Sequence, residues 1–492
     1  MNNKKRYLKL KMGEKDLRNL GITLCIALTL LFSQFAFGMD VLAKSLNNFS
    51  ADSLEAKVDS TALQTLRETG VPSASVAVVL NGKIVYAQAY GKAKLNPPVK
   101  ATPKMRYAIG SISKQFTASC ILLLEQKGKL SLDDPVSTWL PDLTQANDVT
   151  VREILSHTSG YQDFWPQDYN PPLMLKPMPP QGILDRWAKK PLDFKPGTKW
   201  QYSNTNYVIA AQIVEKITHE PFFKFLSDNI LKPLDLSSAV NFDKGKMTAE
   251  DPTGYMRYGI GPLHPALEEG TGWMAGAGEL AMTANDLAKW DVSMINESLL
   301  SPKSYKQLET EVLLKSGVGT HYGLGVQVGM TNGHREIYHT GEVSGFTAYN
   351  AVFPDDGAAV IVLTNQDAAP AASSIGRKIS RLLFKTEDGE TAMRTEQARE
   401  IFSGLQKGTL DRSLFTDDAN FYFNKQALKD FKSSLDTLGE PVEFVQTGQH
   451  KRGGMLERSF RVEFNNITLR VWTYQMPDGK LEQYQIAPQA SN

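Results

Sequence analysis

Apolar and β-branched residues dominate two short runs near the beginning of the chain, Ala74 to Leu80 and Lys83 to Tyr90. They flank Asn81-Gly82, the strongest short-range signal for the tight turn of a β-hairpin. The strand pattern returns far along the chain, in the four runs Tyr322 to Val328, Glu336 to His339, Phe346 to Phe353 and Ala358 to Thr364. The pattern therefore predicts strands at both ends of one unit.

The apolar positions between these strands recur at helical spacing. The stretch Thr117 to Gln126 is apolar on most faces and is stopped by Gly128, which predicts a buried helix. Further helices are predicted over Tyr207 to Ile217, Phe222 to Ile230, Ala284 to Met294 and Ser373 to Leu383. Strands at both ends with helices between them indicate an α+β fold, in which an antiparallel sheet built from both chain ends carries a helical insertion.

A second, smaller unit is predicted after a charged linker, Glu387 to Thr395. Its predicted elements are helices over Glu396 to Gly404 and Lys425 to Leu438, then strands over Val442 to Gln446, Glu457 to Phe464, Leu469 to Tyr474 and Lys480 to Ile486. We therefore expect a first domain over residues 50–386 and a small α+β accessory domain over residues 395–492. The order of helices and curved strands is similar to the cone-shaped folds of the nuclear transport factor class.

The N-terminal segment has the order of a secretory signal. Seven Lys and Arg residues precede the apolar run 20–37, and small residues follow it. Residues 1–43 are therefore predicted to be a signal peptide of an exported, periplasmic or secreted protein, with an uncleaved membrane anchor over residues 20–37 as the alternative. Cys25 falls within this segment, so a mature chain would retain Cys120 as its one thiol.

Charge adds little to this picture. The 492 residues include 54 basic and 53 acidic side chains, and 41% of the residues are hydrophobic. A balanced charge gives no reason to expect nucleic acid or an anionic membrane as a partner. The length and apolar content are sufficient for a large core.

Candidate chemistry begins at Ser111 and Lys114, where an extended segment gives way to the buried helix. Helix positions three apart lie on one face, so the lysine amine can stand beside the serine hydroxyl. An amine whose pKa is lowered by burial can take the proton of a serine nucleophile. Backbone N–H groups at the start of a helix are free to meet an oxyanion.

Two further motifs follow in chain order. Together the three are Ser111-Ile112-Ser113-Lys114, Tyr202-Ser203-Asn204 and His339-Thr340-Gly341. This ordered set resembles the penicillin-recognising serine hydrolases, and most of all their class C β-lactamase and D,D-carboxypeptidase branch. The flanking segments Tyr107 to Gly110 and Leu155 to Gly160 are similar to that family as well, and the resemblance covers roughly residues 55 to 385.

The resemblance implies a role for each motif residue. Ser111 would be the acylated nucleophile, with Lys114 and Tyr202 sharing proton transfer. For Tyr202 we expect a pKa lowered by neighbouring cations. Asn204, His339, Thr340 and Gly341 would bind the substrate, which is a small molecule or a peptide. The backbone N–H groups of Ser111 and Glu342 would form the oxyanion hole. No cofactor and no metal are expected.

His339 departs from the lysine that many β-lactamases of this family carry at that position. A histidine is mostly neutral near pH 7, so His-Thr-Gly is more similar to the carboxypeptidase, D-amino-acid peptidase and esterase members. Any contact of His339 with a substrate carboxylate should weaken as pH rises through about 6.5, the ordinary pKa of the imidazole. Esters, D-amino-acid amides and peptides are therefore the expected substrates, with β-lactams hydrolysed weakly.

Other classes of function fit less well. There is no Gly-x-Ser-x-Gly elbow of an α/β-hydrolase and no His-Glu-x-x-His metal motif. A penicillin-type sensor that acylates without efficient turnover remains the alternative. His157 is expected to be structural, since nothing assigns it a proton to move. The long Pro-rich stretch Asp163 to Pro180 is a candidate lid, whose Phe164, Trp165 and Tyr169 either line a pocket or pin the loop to the surface.

Overall fold

A computed structural model of the protein describes residues 51–166, 169–245, 247–384, 389–465 and 467–488. The predicted signal peptide, residues 1–43, and the alternative anchor over residues 20–37 lie outside the described residues. Across the described ranges, no helix combines the length and the apolar character needed to cross a bilayer. The chain divides into two compact units, Met1–Phe384 and Lys385–Asn492.

The first unit has strands of one sheet near both of its ends, with a helix outside them at each end. Its strands are β1 (Ser73–Leu80), β2 (Lys83–Leu95), β3 (Pro98–Lys100), β4 (Tyr107–Ala108), β5 (Val240–Asn241), β6 (Tyr255–Arg257), β7 (Leu263–Pro265), β8 (Leu280–Met282), β9 (Gln327–Thr331), β10 (His334–Val343), β11 (Phe346–Phe353) and β12 (Ala358–Thr364). Its helices are α1 (Ala51–Thr69), α2 (Ser113–Gln126), α3 (Val151–Leu155), α4 (Pro180–Ile183), α5 (Asn204–Thr218), α6 (Phe222–Leu226), α7 (Ala284–Ile295), α8 (Pro302–Glu309) and α9 (Ala371–Leu383).

The described strands of the main sheet run antiparallel in the order β3, β2, β1, β12, β11, β10, β9. Strand β1 pairs on one side with β2 and on the other with β12, so that Val76 lies opposite Val362. The β1–β2 turn places Asn81 and Gly82 at φ values of 51° and 67°, which suits the Asn-Gly turn of a hairpin. The predicted α+β fold, with a sheet built from both chain ends, is confirmed.

Each face of this sheet is covered. Along β1, Val76 and Val78 point into a core shared with α1 and α9, whereas Ala77 and Val79 point into a larger core shared with the helical insertion. Because neighbouring residues of a strand point to opposite faces, a strand buried on both faces must be apolar almost throughout. This explains why β1 is a continuous apolar run and not an alternating one.

Helix α2 lies inside the larger core. Every residue from Ser113 to Leu124 is buried, as the mostly apolar sequence of this stretch predicts. A tight turn over Gly110–Ile112 connects β4 to this helix. Ser111 therefore stands on a rigid junction between a strand and a fully packed helix.

The second unit has helices followed by a four-stranded antiparallel sheet. Its helices are α10 (Gly389–Lys407), α11 (Asp417–Tyr422) and α12 (Lys425–Leu435), and its strands in spatial order are β13 (Glu443–Arg452), β14 (Met455–Glu463), β15 (Thr468–Gln475) and β16 (Leu481–Pro488). The predicted start of the first helix at Glu396 is wrong, because α10 begins at Gly389. The assignment of Glu387 to Thr395 as a linker stays a prediction. The similarity to nuclear transport factor folds stays a prediction.

Candidate active site

Lys114 lies beside Ser111, as their spacing predicts. Its Nζ is 2.9 Å from the Ser111 Oγ. The amine is fully buried and also donates to the Asn204 Oδ1 and to the Ala277 carbonyl oxygen, each at 2.8 Å. Those two oxygens can accept hydrogen bonds and cannot donate them, whereas the serine hydroxyl can do both.

Burial lowers the pKa of Lys114 to about 7, and the negative charge of Asp163 opposes part of that shift. An uncharged amine has two N–H groups and one lone pair. With the two N–H groups committed to Asn204 and Ala277, the lone pair of a neutral Lys114 faces the Ser111 hydroxyl. The arrangement can therefore receive the serine proton near neutral pH.

Tyr202 stands on the other side of the lysine. Its ring centre is 5.0 Å from the Lys114 Nζ. Among the described residues, its buried hydroxyl has no hydrogen-bond partner of ordinary geometry. Burial raises the pKa of Tyr202, although the neighbouring Ser111 hydroxyl lowers it to a smaller extent. The expected lowering of the Tyr202 pKa is wrong, since loss of solvent outweighs the effect of the Ser111 hydroxyl and the negative charge of Asp163 raises the pKa further. The phenol is a proton donor at neutral pH.

Asn204 is held from both ends of its amide. Its Nδ2 donates to the Asp163 Oδ2 at 3.3 Å, and its Oδ1 accepts from Lys114. Asp163 also accepts from the Asn204 backbone N–H at 2.9 Å and from the Trp165 N–H at 3.2 Å. Asp163 thus fixes the orientation of the amide that meets the lysine. The sequence had placed it at the start of an irregular loop without assigning it a function.

Strand β10 passes very close to the nucleophile turn. A Cβ added to Gly341 would come within 1.9 Å of the Ile109 carbonyl oxygen, and one added to Gly110 within 2.6 Å of the Glu342 backbone N. These two glycines are needed because backbone approaches backbone here. The close approach brings the backbone N–H of Glu342 near Ser111, where the predicted oxyanion hole requires it.

His339 turns away from solvent and makes two hydrogen-bonding contacts. Its Nε2 lies 2.9 Å from the Tyr322 hydroxyl and its Nδ1 faces the Thr340 carbonyl oxygen. Burial, and then the charge of Lys114, lower the pKa of His339 to about 3. The expectation that its protonation changes near pH 6.5 is therefore wrong, because the buried ring stays neutral far below that pH.

A cavity of about 560 Å³ opens beside the serine. The predicted residues Ser111, Tyr202, Asn204 and Glu342 line it, whereas His339, Thr340 and Gly341 are not part of its described wall. The candidate lid also contributes to this wall, through Phe164, Trp165, Tyr169 and Asn170. The aromatic residues of the lid thus face the cavity.

A glycine-rich loop forms another part of the wall, and two buried carboxyl groups hold it. Asp243 accepts hydrogen bonds from the Gly272 and Met274 N–H groups, and Glu279 accepts from the Gly276 N–H at 3.0 Å. Burial raises the pKa of Glu279 to about 7. This loop carries the Ala277 carbonyl that meets Lys114, and its role was missed because isolated acidic residues give no sequence signal.

Within the described ranges, no cluster of three or more His, Cys, Asp or Glu residues could hold a metal ion. Cys120 is buried in α2, and burial raises the pKa of its thiol. A thiol that stays protonated is a poor nucleophile.

Comparison with known proteins agrees with this geometry. The profile of the beta-lactamase family matches residues 57–382. PbpX of Bacillus subtilis, described as a penicillin-binding protein, is 29% identical over 325 residues, which are 65% of this chain and 76% of PbpX.

Two solved structures are similar as well. A D-stereospecific amidohydrolase from Streptomyces sp. is 27% identical with a TM-score of 0.58, covering 67% of this chain and 98% of its own. D-amino acid amidase from Ochrobactrum anthropi SV3, complexed with D-phenylalanine, is 22% identical with a TM-score of 0.61, covering 67% and 99%, and shares the fold. The placement in the class C and D,D-carboxypeptidase branch stays a prediction. Because the family profile matches residues 57–382, which are more than half of the chain, the chain belongs to the beta-lactamase family.

Proposed function

We propose that this protein is a serine hydrolase that forms an acyl-enzyme on Ser111 and acts on esters, D-amino-acid amides or short D-peptides. The observation that carries the proposal is the set of partners around the Lys114 Nζ. The Asn204 Oδ1 and the Ala277 carbonyl oxygen can only accept hydrogen bonds, and they accept from its two N–H groups. The lone pair of the neutral amine therefore faces the Ser111 Oγ at 2.9 Å.

The reaction has two halves. In the first, the Ser111 Oγ bonds to the substrate carbonyl carbon while its proton passes to Lys114, and the carbonyl electrons move onto oxygen, opposite the backbone N–H groups of Ser111 and Glu342. The oxyanion then expels the leaving group, which takes the Tyr202 hydroxyl proton, and the Lys114 ammonium returns a proton to Tyr202. In the second half, the water oxygen bonds to the acyl carbon while one of its protons passes to Lys114. The bond from that carbon to the Ser111 Oγ then breaks, Oγ takes the Tyr202 proton, the Lys114 ammonium returns a proton to Tyr202, and the carboxylic acid leaves.

The chemistry around His339 supports substrates without a carboxylate at that position. A neutral imidazole bonded to Tyr322 and Thr340 offers no cation to an anionic group. The aromatic lid residues in the cavity wall suit an apolar or aromatic acyl group. The amidohydrolase at 27% identity is D-stereospecific, which supports testing D-configured amides first.

The second candidate is a penicillin-type protein that acylates and turns over slowly. The likeness to a relative described as a penicillin-binding protein favours this candidate. The two candidates share the first half of the reaction and differ in the rate of deacylation. The lifetime of the acyl-enzyme therefore separates them.

Intact-mass measurement over time tests both candidates. The protein is incubated with p-nitrophenyl esters, D-phenylalanine amide, D-Ala-D-Ala peptides and penicillins. A hydrolase should release product continuously with at most a transient adduct, whereas a binding protein should keep a stoichiometric adduct.

Ser111→Ala should abolish both product and adduct. The matched control is Ser344→Ala, because Ser344 also lines the cavity but bonds to Asn170 instead of a lysine. Loss of acylation in Ser344→Ala with acylation retained in Ser111→Ala would contradict the assignment.

We also propose that the chain is exported, since basic residues, an apolar run and small residues follow one another at the N-terminus. Mass spectrometry of the protein recovered from its native compartment tests this. A mature N-terminus near residue 43 supports a cleaved signal, whereas an intact residue 1 favours the anchor.

A further inference from the structure

Three buried side chains form a hydrogen-bonded chain behind Tyr202. The His157 Nε2 lies 3.3 Å from the Tyr322 hydroxyl, and that hydroxyl lies 2.9 Å from the His339 Nε2. His157 comes from the segment after α3, His339 from β10, and Tyr322 from the turn before β9. Their exposed fractions are 0%, 2% and 1%, so these contacts are shielded from bulk solvent. The His157 ring also packs on Tyr202, with ring centres 4.3 Å apart.

The surroundings of His157 determine where its proton lies. Its Nδ1 receives the backbone N–H of Ser203 at 3.2 Å. The Asn206 Nδ2 also approaches this nitrogen at 3.4 Å, and the other end of that amide accepts from Ser159 at 2.7 Å. A nitrogen that receives a backbone N–H must carry a lone pair. His157 is therefore neutral with its proton on Nε2, from which it donates to Tyr322.

The same reasoning fixes His339. Its Nδ1 faces the Thr340 carbonyl oxygen, which can accept but not donate, so the proton lies on Nδ1. The Tyr322 oxygen accepts from His157 and has one proton of its own to give. That proton goes to the His339 Nε2. A second proton on His157 would set its Nδ1–H against the Ser203 N–H.

The charged and titratable groups around these three side chains also favour uncharged histidines. Burial and the charge of Lys114 lower the pKa of both histidines, that of His157 well below its ordinary value. The neighbouring phenols, Tyr202 and Tyr207, are neutral because burial raises their pKa values. The Tyr207 hydroxyl donates to the Leu155 carbonyl at 2.6 Å, so it gives no proton to Tyr322, and its oxygen is a second acceptor beside the Tyr322 hydroxyl.

We infer that Tyr322 is a positioning residue that holds His157 as the Nε2–H form and His339 as the Nδ1–H form, both uncharged. It thereby joins the segment that carries Tyr202 to the strand that carries the predicted oxyanion hole. The catalytic consequence rests on the proposed function, whereas the proton positions do not.

The first arm of the test is nitrogen NMR on protein labelled with ¹⁵N-histidine. The protein has seven histidines, and the test concerns the signals of two of them. His157→Gln and His339→Gln assign these signals, because each variant removes the signals of one histidine. Between about pH 5.5 and about pH 8.5, neither histidine should titrate, and the shifts should show Nε2–H at 157 and Nδ1–H at 339. Titration of either ring in this range, or the opposite form at 339, overturns the inference without touching the proposed function.

The second arm is Tyr322→Phe, which removes one hydroxyl between two rings. Losing one buried hydrogen-bonding group should lower kcat about tenfold with KM changed less than about twofold, and should move the NMR signals of both histidines. The matched control is Tyr305→Phe, since Tyr305 is also buried and its hydroxyl donates to the Ser293 carbonyl at 2.9 Å, outside the described cavity wall. The control should leave kcat and both histidine signals unchanged. Unchanged NMR signals and an unchanged kcat in Tyr322→Phe would refute the positioning role. A wild-type protein that shows the predicted proton positions, and yet hydrolyses none of the substrates, would refute the proposed function alone.

Discussion

Lys114 and His339 are two buried nitrogen bases with different partners. Lys114, on α2, faces two oxygens that only accept and one hydroxyl that can also donate. His339, on β10, faces a carbonyl that fixes one proton and a phenol that supplies another. Burial lowers the pKa of both, to about 7 for Lys114 and about 3 for His339. The difference teaches that a buried base can take part in the reaction when its lone pair faces a hydroxyl in the cavity wall, as Lys114 faces Ser111, and has a positioning role when its lone pair faces a hydroxyl outside that wall, as His339 faces Tyr322.

Replacing Lys114 and His339 one at a time should give the largest difference in kcat between the two bases. Lys114→Met should lower kcat by roughly 10²–10⁴, because it deletes the acceptor of the serine proton. His339→Gln should lower kcat by at most about tenfold, because the imidazole touches no reacting atom. Steady-state hydrolysis of one D-amino-acid amide by both variants measures this. Equal losses would refute the distinction between the two bases.

Tyr202→Phe should distinguish substrates by their leaving groups. An amine needs the Tyr202 proton to leave, so hydrolysis of amides should fall by roughly 10²–10³. A p-nitrophenolate leaves without a proton, so p-nitrophenyl esters should lose less than about tenfold. The comparison needs both substrates with the same acyl group. A uniform loss would indicate that Tyr202 acts on Ser111 and not on the leaving group.

Glu279→Gln should change the pH dependence of stability. Its pKa is raised from 4.5 to about 7 in the folded protein. Its contribution to the free energy of unfolding is therefore complete below pH 4.5 and is lost as pH rises through about 7. At 1.36 kcal/mol per unit, a shift of about 2.5 units corresponds to a loss on the order of 3 kcal/mol in the free energy of unfolding. Urea unfolding at acidic and alkaline pH should show a loss that is smaller by about this amount in Glu279→Gln than in the wild type and in Glu250→Gln, whose side chain is exposed; other buried carboxyl groups with raised pKa values contribute equally to all three.

Much of the fold could be predicted from local pattern. The Asn81-Gly82 hairpin, and the bounds Phe346–Phe353 and Ala358–Thr364, agree with the structure because apolar strands and turn residues act locally. The contact between Ser111 and Lys114 followed from helical spacing. The run Tyr322 to Val328 was wrongly predicted as a strand: β9 begins at Gln327, and the Gly323 N–H turns back onto the Val326 carbonyl.

The remaining parts of the site depend on contacts between distant segments. Asp163 meets Asn204 across 41 positions, and Tyr322 meets His157 across 165. No spacing rule reports such pairs, and the residue types are common in loops and cores. Burial, which sets the pKa values of Tyr202 and His339, likewise depends on the complete packing. A sequence can therefore nominate reacting groups, while their protonation follows from the fold.

Asp163→Asn should shift the pH profile without removing the catalytic base. If neutral Lys114 accepts the serine proton, kcat/KM should rise with pH and level off above about 7, the pKa of the amine. The charge of Asp163 favours the ammonium form, so replacing it should lower that pKa and move the rising limb to lower pH by roughly one unit. The plateau can fall as well, since Asp163 holds Asn204, so the position of the limb and not its height is the test. Asp193→Asn, an exposed carboxylate that bonds to Gln201, is the matched control and should leave the limb in place. A limb that stays near pH 7 in Asp163→Asn, or moves upward, would show that a group other than Lys114 controls acylation.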